Sequence, residues 1–273
     1  MRRTRRAAPI ALVIACLVLL VAASTIDCAG GAGRRFGRQY EYEEDVTLSL
    51  DGSAVVTINA SIPALVALHG MALPVNSRTR IDRDDVRAQI ESPVYDVTRV
   101  SRTWRRRGRR FIQIRLDVPD VRRLPEAPLF DRARYDLATR EGGSVFRQRV
   151  GGGKRAGVPE ANWDGSELVA FKLHLPSRIF HHNVRDIETR QTGEVERGNI
   201  VRWEQRLSDR LAGVPVEMEV RMDSESILNR TLWLFAGAFG AAMFALAMAI
   251  WWVVRRGRGR SIAPRSSQSL PQS

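Results

Sequence analysis

Cysteine is nearly absent. The two that occur, Cys16 and Cys28, precede the region in which a fold can be read. A disulfide network and a thiolate metal site are therefore excluded for the body of the chain, which must stand on a hydrophobic core. Lysine is as scarce, at Lys154 and Lys172 only, so nearly all positive charge is arginine. Acidic residues are missing from both ends: none precedes Asp27 and none follows Glu225. Catalytic signatures are also lacking. Gly151-Gly152-Gly153-Lys154 has Arg155 where a phosphate loop needs Ser or Thr, and Gln148 where it needs glycine. Gly31, Gly33 and Gly37 miss the dinucleotide spacing and follow no strand, and no Gly-x-Ser-x-Gly elbow occurs.

What the chain does have is two long apolar runs. Residues 231–254 carry no ionisable side chain, and at ~1.5 Å per residue they cross a hydrocarbon core of ~30 Å with some tilt. Trp233 near one end, Trp251 and Trp252 near the other, and Arg230 and Arg255 outside them match the two membrane interfaces. The first run, residues 7–24, follows Arg2, Arg3, Arg5 and Arg6 and has the pattern of an export signal, with Ala22, Ala23 and Ser24 available for cleavage. Retention as an anchor and lipidation at Cys28 are the alternatives. Asp27 is a poor residue to precede a lipidated cysteine, and Val13-Ile14-Ala15-Cys16 fits that pattern better but lies inside the run.

Charge orients the molecule. Four arginines of the first flank and five of the last (Arg255, Arg256, Arg258, Arg260, Arg265) account for most of the formal net charge of +13, leaving about +4 between them. Positive flanks belong in the cytoplasm, so the intervening body lies outside it and the C-terminal tail within. The basic excess is topological, which argues against a nucleic-acid partner. The expected organisation is a signal or anchor at 1–28, a Gly-rich linker at 29–39, an extracytoplasmic domain at 40–226, a transmembrane helix at 231–254 and a basic tail at 255–273.

Period-two alternation predicts a hairpin over 46–60 with its turn at Asp51-Gly52. A short helix or buried turn follows at 62–73, and a polar helix at 82–90 capped by Asp82. A second hairpin pairs 95–104 with 111–118, and 124–128 reads as loop. Two shorter strands flank Gly142-Gly143. Further strands are expected at 169–175, in a hairpin of 187–195 with 199–204, and at 216–222. The fold class is α+β, mainly an antiparallel sheet of seven to ten strands with one or two short helices.

Adjacent His181 and His182 would point to opposite faces of a strand, and His69 and His174 supply no ligand spacing, so no metal is expected. The run Asp82-Arg83-Asp84-Asp85 lacks the glycine and closing glutamate of a calcium loop and reads as helix capping. No cofactor and no enzymatic activity are expected. Two surface features remain. Arg105, Arg106, Arg107, Arg109 and Arg110 make the tip of the second hairpin a positive knob suited to anionic lipid headgroups or anionic glycans, or simply a soluble turn. Gly237, Ala241, Ala245 and Ala249 recur every fourth residue, a small-residue stripe on which two membrane helices can associate.

The order of parts resembles the LppM-like envelope proteins: an export signal with a nearby cysteine, a hairpin carrying Asp51-Gly52-Ser53, an α+β domain, and one C-terminal helix with a basic tail. The matching stretches are 46–60, 92–118 and Gly198-Asn199-Ile200-Val201-Arg202-Trp203-Glu204-Gln205. The resemblance implies binding of a lipid or glycolipid in an apolar cavity between sheet and helix. The expectation is thus a membrane-anchored domain that binds a lipid or another envelope component. The alternative is an interaction module that recruits a protein partner and assembles, as a homodimer for example, through its transmembrane helix.

Overall fold

The computed structural model describes residues 38–76, 78–140, 142–152 and 161–258, with side chains for all of these but 227–230 and 256–258. The expected signal segment, both cysteines, Lys154 and the tail beyond Arg258 lie outside the described residues.

β1 (Tyr40–Leu48) and β2 (Ala54–Ser61) form the first hairpin. Its turn is held by Asp51, whose carboxylate accepts from the backbone N–H and hydroxyl of Ser53, while Gly52 takes the left-handed φ of 93°. Ser61 ends β2 and caps α1 (Ile62–His69) by accepting from the Ala64 N–H, with a proline in the first helical turn and Gly70 at the far end with φ 68°. Because α1 is apolar almost all round, it is buried rather than laid on the surface. α2 (Arg83–Ile90) is its opposite: capped by Asp82, it buries only Val86 and Ile90. The acidic run is thus a helix start.

β3 (Asp96–Val100), β4 (Trp104–Arg106), β5 (Arg109–Val118), β6 (Ala133–Arg140), β7 (Gly143–Val150), β8 (Leu168–His174), β9 (Ile179–His182), β10 (Ile200–Arg206), the short α3 (Leu207–Leu211), β11 (Val216–Met222) and α4 (Ile227–Arg258) complete the chain. The strands form two sheets. One runs β10-β8-β1-β2-β5-β3, with β4 also on β5; the other runs β6-β7-β11-β9. Mixed α+β architecture with mostly antiparallel pairing matches the expectation. The differences are specific. The described strands number eleven, β8 lies parallel to β1, and residues 187–195 form no strand, β9 having formed earlier in the chain. The expected loop at 124–128 overlaps a 3-10 helix at Val121–Glu126, capped by Asp120.

One continuous core lies between the layers. Across the inner face of the first sheet, Trp203, Phe171, Glu44, Ile58, Ile114 and Val100 stand side by side in register. Glu44 is the polar member of that row and is buried. The second sheet meets it with Tyr135 and Gln148, themselves paired across β6 and β7. Gln148 Nε2 donates to Glu44 Oε1 at 2.9 Å, Tyr135 at 3.2 Å, and Tyr42 donates to Oε2 at 3.1 Å. Buried Arg210 lies over the Phe171 ring, 5.6 Å from its centre, and donates to the Val150 carbonyl. Beside this cluster is a cavity of about 30 Å³. It has room for water and none for an acyl chain.

After β11 the chain runs through residues 223–226 into α4. Within it Thr231–Arg255 is long and apolar enough to cross a membrane, and none of it is buried against protein. A row of exposed Leu, Phe, Trp and Ile side chains of this length calls for an apolar surrounding.

Gly143, at φ 146°, is where β7 passes closest to β11: a Cβ there would lie 2.4 Å from the Met222 carbonyl oxygen. Gly143→Ala is expected to destabilise the full-length protein in detergent by about 2 kcal/mol, read as a lowered urea midpoint, since backbone rather than a movable side chain must give way.

Candidate functional site: an arginine-lined groove

The hairpin tip joins β4 to β5 through Arg107 and Gly108, both left-handed at φ 47° and 78°. The five arginines of the knob divide. Arg105, Arg106 and Arg107 are exposed. Arg109 is turned inward: its guanidinium donates to Glu41 at 2.8 Å, to Glu167 at 2.9 Å and to the Asn162 carbonyl at 2.7 Å. Both carboxylates are buried, and Glu167 also accepts the N–H groups of Asp164 and Gly165. Arg110 is buried as well and donates to the carbonyls of Pro74, Asn76 and Thr79. Arg109 therefore fastens strand ends together, and Arg110 fastens the 74–79 loop to β5.

That second fastening builds a site. The loop held by Arg110 delivers Arg78 and Arg80, the start of α2 delivers Arg83, and the approach to β4 delivers Arg102. Together with Arg105 and Arg110 they line an open groove of about 620 Å³ against a single carboxylate, Asp82. Asp82 is engaged in capping, accepting from the Asp84 N–H. Burial first, and then the charge of Arg105, press the Arg110 guanidinium below its ordinary value. Nearby Trp104 is partly exposed and stacks on Phe111 at 6.0 Å. The contrast with the outer face of the second sheet is informative. There Arg147 meets Glu219 and Asp136, and Arg149 meets Glu217, cross-strand pairs that balance charge locally. In the groove arginines outnumber acids six to one. Such a concave surface suits phosphate or carboxylate groups, which guanidinium forks bind in bidentate fashion.

The groove and the apolar helix lie at opposite ends of the fold. Arg109 is bound to Glu167, immediately before β8, whereas Asp223, which leads into α4, donates to the carbonyl of Arg178, four residues beyond it. β8 itself spans about 20 Å at ~3.3 Å per residue.

Of the other sequence candidates, His181 is exposed and His182 half-buried on β9. His174 faces Asp45 at 3.2 Å and His69 faces the Leu129 carbonyl at 3.1 Å, so the four histidines are dispersed. Gln148, which stands where a phosphate loop would need glycine, is the core partner of Glu44. Gly237, Ala241, Ala245 and Ala249 lie on the exposed α4, and a Cβ added at Gly237 would meet nothing within 4 Å. The cavity beside Glu44, at about 30 Å³, is too small for the acyl chain that the family resemblance implies. Nothing in the sequence marked Arg78, Arg80, Arg83 and Arg102 as partners of the hairpin; the weak signal was arginine density on both sides of a predicted capped helix.

No family model matches the chain, and no curated protein matches it. A solved structure that is similar in outline is the NMR structure of the folded domain of LppM from Mycobacterium tuberculosis. It is 14% identical and covers 72% of this chain and 98% of that domain, with a TM-score of 0.36. The likeness is distant, and no residue or role is carried over from it.

Arg109→Ala strands two buried carboxylates and is expected to cost about 3 kcal/mol of stability, whereas Arg106→Ala stays within about 0.5 kcal/mol; chemical denaturation of the full-length protein separates the two. Burial, outweighing its hydrogen bonds, pushes the Glu44 carboxyl above its ordinary value of 4.5. Between that value and the raised one, the unfolded chain gives up a proton that the folded chain keeps. The associated stability is full below the unfolded value and lost as pH rises through the folded one. The melting temperature of the wild-type protein is therefore expected to fall relative to that of Glu44→Gln as pH is raised from about 4 toward 7; parallel curves would contradict it.

Proposed function

We propose that this chain is a membrane-tethered, extracytoplasmic, non-enzymatic binding domain whose arginine groove takes an anionic component of the cell envelope. The observation that carries the reading is the groove's six-to-one excess of arginine over acid. Supporting it are the apolar helix Thr231–Arg255 and the arginines that follow it, which favour a cytoplasmic tail. The groove's position at the end away from the helix favours a phosphate- or carboxylate-bearing glycan or polymer over the headgroups of the same bilayer.

The test is titration of the full-length protein, in zwitterionic nanodiscs, with polyphosphate of defined length. The Arg78→Gln/Arg80→Gln/Arg105→Gln variant is expected to bind about tenfold more weakly, equivalent to ~1.4 kcal/mol, and the wild-type affinity to fall with added salt. An Arg134→Gln/Arg149→Gln variant, altered on the acid-balanced face, should bind as the wild type does. Equal affinity in all three proteins would overturn the reading. Capture of a protein by crosslinking at the groove, with no polyanion binding, would favour the partner-recruiting alternative.

A further inference from the structure

Phe180 is 62% exposed, the most exposed large apolar side chain among the described residues outside α4. It lies on β9, the edge strand of the second sheet. The neighbouring Ile179 pairs with Met222, the last residue of β11, and the Asp223 N–H donates to the Arg178 carbonyl at 3.0 Å. Phe180 thus stands at a bulge beside the last rung of sheet, Ile179 with Met222, before the chain leaves for the apolar helix. On its other side it touches the tip of the β6–β7 hairpin, where its ring carbon lies 3.3 Å from the place a Gly143 Cβ would occupy. An aromatic ring left exposed at such a bulge is costly in water unless something covers it.

We infer that Phe180 inserts into the interfacial layer of the bilayer that α4 crosses and holds the domain against it; the inference rests on the reading of residues 231–255 as a membrane span. The tether decides the occupant. Only residues 223–226 separate β11 from α4, so this end of the fold cannot leave the interfacial zone. Aromatic rings are at home at that depth, as Trp233 is at the start of the span. Exposed Arg140 and Arg178 flank the ring, while Asp223 and Glu225 stand in the linker. With Arg230 before the span these charges nearly cancel, so the contact is apolar in origin and needs no anionic lipid. That separates it from the arginine groove in both place and chemistry.

The experiment places the photocrosslinking residue p-benzoylphenylalanine at position 180 of the full-length protein, reconstituted in vesicles of zwitterionic phosphatidylcholine. A second protein carries it at Val214, also exposed, at the opposite end of β11. After irradiation, mass spectrometry is expected to find lipid adducts at position 180 and none at 214. Adducts missing at 180, or equally abundant at both, would overturn the inference, the second outcome meaning that the domain lies on its side. Flotation of the same samples is scored alongside: a chain that does not float with vesicles removes both the membrane reading and this contact. Polyphosphate binding that persists while adducts are absent removes the contact alone. The site's exposure lets the bulky residue fit, and an unchanged melting temperature of each labelled protein verifies it.

Discussion

Glu44 stands in a row of inward side chains that is otherwise apolar, and much of the architecture follows from accommodating it. A carboxylate there is tolerable only if polar groups reach it from the facing layer. Tyr135 and Gln148 do so from the second sheet, Tyr42 from its own strand, and Arg210 lends positive charge from α3. Apolar surfaces can slide over one another at little cost, but a carboxylate with three donors has one position in which all are satisfied. The two sheets are thereby locked in one mutual register, and the small cavity beside Glu44 is what remains where apolar packing gives way to polar geometry.

The parallel pairing of β8 with β1 then sets what lies at each end. Strands aligned this way bring Glu41 and Glu167 to the same end, where Arg109 bridges both. The hairpin carrying Arg109 is drawn there with its arginines. The return through β10, α3 and β11 delivers the chain to the other end, beside β9 and the start of α4. The arginine groove and the exit into α4 are separated because one ladder runs parallel.

Local chemistry made part of this legible in the sequence. The Asp51-Gly52 turn, the capping of α2 by Asp82, and the alternation of β2, β5, β8 and β11 all depend on residues close in sequence. What could not be read there depends on distant ones. β9 is short and follows Pro176 and Ser177 without a clear alternating pattern; it is a strand because the edge of β11 was available. The parallel β1–β8 ladder is set by contacts across more than a hundred residues. The knob was visible as composition, but composition does not distinguish Arg106, which is exposed, from Arg109 and Arg110, whose partners come from Glu41, Glu167 and the 74–79 loop. The groove required that loop to fold back, an event directed by Arg110 from thirty-odd residues away.

The placement of the groove at one end of β5 and of the exit at the end of β11 has a mechanical meaning. A ligand fixed in the envelope and a helix fixed in the membrane would load the domain along its strands. Force in that direction strains the rungs of each ladder together, in shear, instead of opening them one after another as a pull across the strands would. The two sheets would also have to slide past Glu44 and its three donors before they could part. Under such tension the same carboxylate that costs solvation energy in the resting fold would act as a friction point between the sheets.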